Sequence, residues 1–260
     1  MQRAMLVAAD QTAGVLTLTL QRPDKRNALN RALIGDLVSA ITQHRDDSAL
    51  KLMVLTGAGN QAFASGGDLS ELGTVRTRPE ALEMSDAYYT ALDAVRQFPV
   101  PVIAAVNGDA LGGGAELAMA CDWRVAAHHA RIGFLQGKLN ITTAWGGGAD
   151  LIRTVGASRA LQLLGSANIL SATDALTVGL FEEVAPEAET FADFIARFCA
   201  PYRERTAAVM RAFKALANAA RAGASSRELR RVETEHFADA WIHDDHWVAA
   251  NASRGQAGKA

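Results

Sequence analysis

Two glycine-rich turns contain the residue types in this chain that are best suited to chemistry. Residues 63–69 read FASGGDL, residues 110–117 read ALGGGAEL, and each turn follows a predicted apolar strand. Glycine allows positive φ angles and a close approach of a ligand to the backbone. The second turn leads into a predicted helix, whose first N–H groups lack intrahelical partners and favour negative charge. The two turns predict a site in which backbone N–H groups bind an oxyanion, although one glycine triplet alone is also typical of a tight turn without a ligand.

Other glycine-based sites are excluded by the same segments. Neither turn has the G-x-G-x-x-G spacing of a dinucleotide-binding fingerprint, and the chain has no G-x-x-x-x-G-K-[ST] phosphate-binding loop. The G-x-S-x-G nucleophile elbow does not occur either, because Phe63 and Ala64 precede Ser65. Ser65 is therefore not predicted to be a nucleophile of that type.

Composition and charge exclude several classes of partner. The chain has 260 residues, a formal net charge of −2 and a pI near 6.3, so a nucleic acid is not expected to bind. No apolar run reaches the ~18 residues that a membrane-spanning helix needs, and the first ten residues lack the pattern of a secretion signal. The histidines form no metal-ligand spacing, so no metal site is predicted. Cys121 and Cys199 lie in apolar stretches and are interpreted as reduced thiols of a cytoplasmic protein.

Predicted strands and helices, which must position the two turns, alternate along the first half of the chain. Leu16, Leu18 and Leu20 alternate with threonines, which predicts a half-buried strand at residues 15–20. Apolar strands are predicted at residues 50–56 and 100–106, with helices between them, and this order indicates a largely parallel α/β core. From about residue 188 the pattern is almost entirely helical, and residues 253–260 are predicted to be a frayed tail.

Four segments together resemble the crotonase (enoyl-CoA hydratase/isomerase) superfamily in order and spacing. They are residues 22–29 (RPDKRNAL), 63–69, 107–122 and 146–156, and residues 171–184 are similar as well. The resemblance implies an α/β fold, the crotonase (ClpP-like) spiral of ββα units, followed by a helical trimerisation region. We therefore expect a core at residues 1–200, a helical region at residues 201–260, and a homotrimer or a dimer of trimers.

The resemblance also implies a CoA thioester as substrate, with coenzyme A carried on the substrate and no separate cofactor. Family members hold the thioester oxygen in an oxyanion hole, and the matching positions make the N–H groups of Ser65 and Gly113 the expected donors. The adenine and phosphates are expected near the basic segment that follows the first strand, and the pantetheine beside the first glycine turn. The residues expected to bind the CoA thioester in these stretches are Lys25, Arg26, Ala28, Ala64, Gly66, Gly67, Asp68 and Leu69.

Two positions match the glutamates that family hydratases place about the substrate. The first is Glu116, for which a charge favourable to the helix N-terminus is the alternative interpretation. The second position, 20 residues later, holds Gln136. An amide cannot exchange a proton near pH 7, whereas a carboxylate with a suitable pKa can. The resemblance therefore implies an incomplete acid pair for hydration, and it also makes a simple double-bond isomerase less favoured.

One branch of the superfamily needs no base to form its enolate. Residues 112–117, together with Trp145 and the glycines after it, resemble ethylmalonyl-CoA decarboxylases, in which loss of CO₂ leaves the enolate directly. Trp145 is expected to bind the CoA thioester, and the alternative interpretation is a core aromatic beside a glycine turn. The leading hypothesis is an acyl-CoA enzyme that stabilises a thioester enolate, with decarboxylation of a short malonyl-type CoA thioester as one reaction. The alternatives are an enoyl-CoA hydratase or isomerase with a modified acid set, and a non-catalytic acyl-CoA-binding homologue.

Overall fold

Two β-sheets and a set of helices make up the fold in the computed structural model, which describes residues 5–257. In chain order the strands are β1 (Val7–Thr12), β2 (Val15–Leu20), β3 (Leu52–Gly57), β4 (Ala62–Ala64), β5 (Val102–Val106), β6 (Asp109–Leu111), β7 (Trp123–Ala126), β8 (Arg131–Gly133), β9 (Ile169–Ser171) and β10 (Glu183–Val184). The helices are α1 (Arg31–His44), α2 (Leu69–Leu72), α3 (Arg78–Arg96), α4 (Gly113–Ala120), α5 (Gly147–Val155), α6 (Ala157–Ser166), α7 (Ala172–Thr177), α8 (Phe191–Arg203), α9 (Ala207–Arg221), α10 (Ser226–Ile242) and α11 (Asp244–Ala257). Short 3-10 helices lie at Pro23–Lys25 and Leu135–Leu139.

The larger sheet contains the apolar strands that the sequence predicts. Its strand order is β1-β2-β3-β5-β7-β10, with β1 and β2 antiparallel and the other neighbours parallel. Alternate residues of β5 belong to two separate hydrophobic clusters, with Val102 and Ala104 in one and Ile103 and Ala105 in the other. This sheet is therefore covered on both faces, which explains why its central strands are continuously apolar.

The smaller sheet brings the two glycine-rich turns together. Its strand order is β4-β6-β8-β9, and β4 pairs with β6 in parallel. Ala64, the last residue of β4, pairs with Ala110 in β6. Because the carboxyl ends of parallel strands meet at the same edge of a sheet, the turn after β4 and the turn after β6 lie side by side.

The C-terminal helices begin by packing on one face of the larger sheet. Phe194 in α8 and Met210 in α9 belong to the hydrophobic cluster that covers Ile103. The buried ammonium of Lys214 lies 2.6 Å from the Asp122 carboxylate, which ties α9 to the residue just before β7. The predicted boundary after residue 200 falls inside α8, and the division into two units stays a prediction. No helix within residues 5–257 is long and apolar enough to cross a membrane.

Three local features differ from the sequence-based expectations. The sequence does not predict β1, because all its residues except Val7 are exposed and no apolar alternation marks the strand. Helix α4 begins at Gly113, whereas the sequence predicts its start two residues later, at Ala115. Helix α11 continues to Ala257, so the predicted frayed tail is wrong for residues 253–257. The rest of that predicted tail, residues 258–260, lies outside the described residues.

Candidate active site

The two glycine turns approach each other too closely for side chains. A Cβ atom on Gly66, whose φ is +105°, would lie 3.0 Å from the Leu111 carbonyl oxygen and 3.5 Å from the Gly113 nitrogen. A Cβ atom on Gly114 would lie 2.7 Å from the carbonyl carbon of Ala64 and closer still to its oxygen. Glycine is therefore required here by the close packing of two backbones, and this contact fixes the start of α4 against the first turn.

The N–H group of Ser65 is not free to bind a substrate. It donates to the carbonyl oxygen of Arg26 at 3.0 Å, so the expectation that Ser65 supplies an oxyanion-hole donor is wrong. No acceptor within residues 5–257 takes the N–H of Gly67 or that of Gly113. The structure therefore retains Gly113 as a candidate donor and moves the first donor from Ser65 to Gly67, two residues along the same turn.

The indole of Trp145 covers the glycines that carry these two donors. A Cβ atom on Gly113 would lie 2.5 Å from Cη2 of Trp145 and closer still to Cζ3, and one on Gly67 would lie 3.3 Å from Cη2. Trp145 is 7% exposed, and its indole stacks on Tyr88 with ring centroids 4.3 Å apart. The sequence places Tyr88 on the apolar face of the helix predicted before the strand at residues 100–106. It does not show that the Tyr88 ring packs against Trp145.

Glu116 lies almost completely buried, one turn into α4, with both carboxylate oxygens engaged. Its Oε2 accepts from the backbone N–H of Trp145 at 2.9 Å and from that of Gly147 at 3.1 Å, and its Oε1 accepts from the side chain of Gln136. Burial raises the pKa of the Glu116 carboxyl, and the hydrogen bonds from these partners oppose that rise. The carboxyl therefore retains a proton to a higher pH than an exposed glutamate would.

Gln136 reaches this carboxylate from the 3-10 helix at Leu135–Leu139. Its Nε2 donates to Oε1 of Glu116 at 2.8 Å, so the two positions are in direct contact. Its own Oε1 is buried and has no hydrogen-bond partner among the described residues. A buried amide oxygen without a partner is unfavourable, so a donor from a bound molecule would stabilise this arrangement.

Residues that the sequence does not single out hold the Trp145 backbone in place. Arg96, at the end of α3, donates from Nη2 to the Trp145 carbonyl at 2.9 Å and from Nε to Asp150 at 2.8 Å. Ser85 donates to the Ala144 carbonyl at 3.0 Å. No sequence signal points to these contacts, because they join segments about 50 to 60 residues apart.

The predicted CoA-binding segments lie next to each other, but several of their side chains have internal partners. Asp68 pairs with Arg22 at 2.9 Å and accepts from Ser70, and the Ser70 hydroxyl and Arg22 together lower the pKa of Asp68. Arg26 lies 3.7 Å from Asp109, and the Ala28 carbonyl accepts from Arg22. Lys25 ends the first 3-10 helix, Ala64 is fully buried, and Leu69 is 66% exposed beside the first turn. The contacts of Asp68 with Arg22 and Ser70 therefore stabilise the first glycine turn. Leu69 leaves an apolar side chain exposed beside it.

No cluster of three or more histidine, cysteine, aspartate or glutamate side chains within residues 5–257 is arranged to hold a metal ion. The groups that the described residues bring together at this site are hydrogen-bond donors and the buried carboxyl of Glu116. Contacts link Gly67, Gly113, Glu116, Gln136 and Trp145 into one group at the start of α4. Such an arrangement suits the binding of a carbonyl group whose oxygen becomes negatively charged during reaction.

Known proteins share this sequence pattern and fold. The sequence profile of the Enoyl-CoA hydratase/isomerase family matches residues 10–250. The chain is 38% identical to crotonyl-CoA hydratase of Syntrophomonas wolfei over 67% of this chain and 69% of that protein. It is 37% identical to short-chain-enoyl-CoA hydratase of Clostridium acetobutylicum, over 70% of each chain. The crystal structure of an enoyl-CoA hydratase from Bacillus anthracis superposes with a TM-score of 0.89, at 28% identity and 96% coverage of both chains.

These likenesses confirm the predicted fold class, an α/β crotonase fold with two sheets and C-terminal helices. They also confirm the resemblance at the level of the superfamily, whereas the decarboxylase branch and the trimer remain predictions. Because the family profile covers nearly the whole chain and the structural match is global, the chain belongs to the enoyl-CoA hydratase/isomerase family of the crotonase superfamily.

Proposed function

We propose that the chain binds a CoA thioester with its carbonyl oxygen between the N–H groups of Gly67 and Gly113, and that it forms the enolate by decarboxylating a short malonyl-type thioester. The C–C bond to the carboxylate breaks and releases CO₂. Its electron pair passes to the α-carbon and the thioester oxygen, and one proton completes the acyl-CoA product. Each such backbone donor can contribute ~3 kcal/mol to the transition state.

The hydrogen bond between Gln136 and Glu116 is the observation that carries this proposal. Water addition to a double bond takes a proton from the water and delivers one to the substrate, and a pair of carboxyl groups can divide these two transfers. Here the amide of Gln136 stands 2.8 Å from Glu116, so the site contains one carboxyl where a hydratase of the two-glutamate type has two. Decarboxylation generates the enolate by C–C cleavage and needs only a later proton, which one carboxyl can supply.

Glu116 is the proposed source of that proton. Burial raises its pKa, so a larger fraction of the carboxyl is protonated at a given pH than for an exposed glutamate. Gln136 is proposed to orient the carboxyl through Nε2 and to accept a hydrogen bond from the bound molecule through its unpartnered Oε1. Coenzyme A enters as part of the substrate, and Lys25 and Arg26 are proposed to lie near its phosphates.

Hydration of a short enoyl-CoA is the second candidate, and the names of the relatives favour it. The two curated proteins described above are a crotonyl-CoA hydratase and a short-chain-enoyl-CoA hydratase. In this alternative Gln136 would hold the attacking water through Oε1 while Glu116 alone exchanges protons. Trimeric assembly and a cytoplasmic location remain further proposals that follow from the family resemblance and the composition.

A panel of CoA thioesters separates these candidates. The purified chain is incubated separately with methylmalonyl-CoA, ethylmalonyl-CoA and crotonyl-CoA, and the masses of the products are measured by mass spectrometry. Loss of about 44 mass units from a malonyl-type thioester is the expected result, and it corresponds to release of CO₂. Gain of about 18 units on crotonyl-CoA without any loss of CO₂ would contradict decarboxylation and support hydration. Binding without any reaction would support the non-catalytic alternative.

Replacing Gln136 by glutamate should introduce weak hydration of crotonyl-CoA. Two carboxyl groups at this separation repel each other when both are ionised, so one pKa rises and an acid/base pair forms. The measurement is the rate of water addition to crotonyl-CoA by Gln136→Glu, with Gln136→Met as the control that lacks a second carboxyl. A wild-type hydration rate equal to that of Gln136→Glu would show that the amide does not limit water addition.

A further inference from the structure

The side chain of Trp145 occupies the space directly beside the two candidate donors. Its ring lies against the Cα atoms of Gly113 and Gly67, so closely that a methyl group on Gly113 would overlap it. A thioester oxygen placed between these two N–H groups carries its acyl carbons within a few ångströms of the same glycines. The indole is therefore the first side chain that the acyl group meets, provided that the thioester binds as proposed above.

Contacts of both its ring and its backbone hold Trp145 in this position. Its face stacks on Tyr88 with 14° between the ring planes, and the Tyr88 hydroxyl donates to the Leu29 carbonyl. On the backbone of Trp145, the N–H donates to Glu116 and the carbonyl accepts from Arg96. Tyr88 is itself 1% exposed, so neither ring can turn aside without disturbing buried neighbours. The indole is thus a fixed wall and not a mobile cover.

Tyr88 also lines a largely apolar cavity. It has a volume of about 330 Å³ and is lined between α1 and α3 by Ile34, Val38, Met84 and Ala87 as well as by Tyr88 itself. Tyr88 lines this cavity and also stacks on Trp145, whose indole contacts the two donor glycines. An acyl chain bound at Gly113 cannot occupy the volume that these two rings fill.

From this arrangement we infer that Trp145 is the specificity-determining residue of the acyl site, and that it restricts the chain to short acyl groups. The inference rests on the proposed binding of the thioester but not on the reaction that follows. It names the substrate class as short-chain acyl-CoA thioesters, with the indole excluding chains that would need the volume it fills. A hydrophobic pocket typically discriminates about 10- to 200-fold per methylene group, so the effect of the wall should be measurable.

The test compares the binding of two saturated thioesters, butyryl-CoA and octanoyl-CoA, by calorimetry. Wild type should bind butyryl-CoA more tightly than octanoyl-CoA. Trp145→Leu, which removes most of the ring, should shift the ratio of the two dissociation constants toward octanoyl-CoA by at least about tenfold. Trp145→Phe keeps a smaller ring against Tyr88 and should shift the ratio less, in the same direction. Val38→Ala, in the cavity that Tyr88 also lines, is the matched control and should leave the ratio unchanged.

Two outcomes would overturn the inference. One is wild-type binding of octanoyl-CoA as tight as that of butyryl-CoA, a result that needs no variant and so does not depend on whether Trp145→Leu folds. The other concerns the ratio of the dissociation constants for butyryl-CoA and octanoyl-CoA. This ratio would stay within threefold of the wild-type value in Trp145→Phe and, if that variant folds, in Trp145→Leu. If the chain-length shift is found while the thioester panel shows no loss of CO₂, the inference stands and the proposed decarboxylation fails. If no acyl-CoA binds at all, both fail together.

Discussion

Replacing Glu116 by glutamine is expected to lower kcat by about 10²–10⁴-fold, the typical contribution of a positioned proton donor or acceptor. Glutamine has nearly the same shape, so the change removes the titrating group and leaves the buried volume filled. One end of the new amide carries hydrogens, and it must face either Gln136 or the backbone N–H groups of Trp145 and Gly147. The measurement is steady-state turnover of the thioester identified by the panel.

The pH dependence distinguishes a proton donor from a group that only holds the backbone. Because burial raises the pKa of Glu116, a reaction that needs its protonated form should slow as the pH rises through that raised value. This fall in rate with rising pH should be absent from the pH profile of Glu116→Gln. The contradicting outcome is a Glu116→Gln variant that has the same unfolding temperature as wild type and also keeps near wild-type kcat. Glu116 would then act only as an acceptor for the N–H groups of Trp145 and Gly147.

Replacing Gly114 by alanine is expected to destabilise the fold by about 3 kcal/mol or more, the upper range for overpacking of a buried site. The new Cβ would lie 2.7 Å from the carbonyl carbon of Ala64 and closer to its oxygen, and both belong to backbone that cannot turn aside as a side chain can. Relief of the overlap would force α4 away from β4 and separate the two candidate donors. The free energy of unfolding, measured with denaturant, checks the prediction.

Gly35→Ala is the matched control for the same chemical change. Gly35 lies within α1, and a Cβ atom there would have no neighbour within 4 Å. Alanine in a helix interior is favoured over glycine by about 0.5–1 kcal/mol, so this variant should be slightly more stable than wild type. Equal stabilities of Gly114→Ala and Gly35→Ala would contradict the close packing of the two turns.

The fold could be predicted largely from local pattern. The alternating leucines of β2 and the continuous apolar runs of β3 and β5 mark a sheet that is covered on one or both faces, and the structure confirms them. Strand β1 could not be predicted in the same way, because its pairing depends on the turn at Ala13 and Gly14, which both have positive φ. Hydrogen bonding along an exposed edge leaves no hydrophobic signal in the sequence.

The candidate site was only partly accessible from sequence. Glycine spacing indicates that backbone donors are present, but which N–H is free depends on the loop that packs against the turn. The N–H of Ser65 donates to the carbonyl of Arg26, a contact between residues 39 positions apart, and this leaves Gly67 as the first candidate donor. The wall formed by Trp145 likewise depends on its stacking against Tyr88, 57 residues earlier in the chain.

The central claim is that the thioester oxygen is bound and polarised between the N–H groups of Gly67 and Gly113. Infrared difference spectroscopy of butyryl-CoA labelled with ¹³C at its thioester carbonyl tests this claim without requiring any reaction. Hydrogen bonds to the oxygen weaken the C=O bond, so the labelled stretch should move to lower frequency when the thioester binds. A bound thioester whose carbonyl frequency equals that of the free ligand in water, or lies above it, would contradict the account.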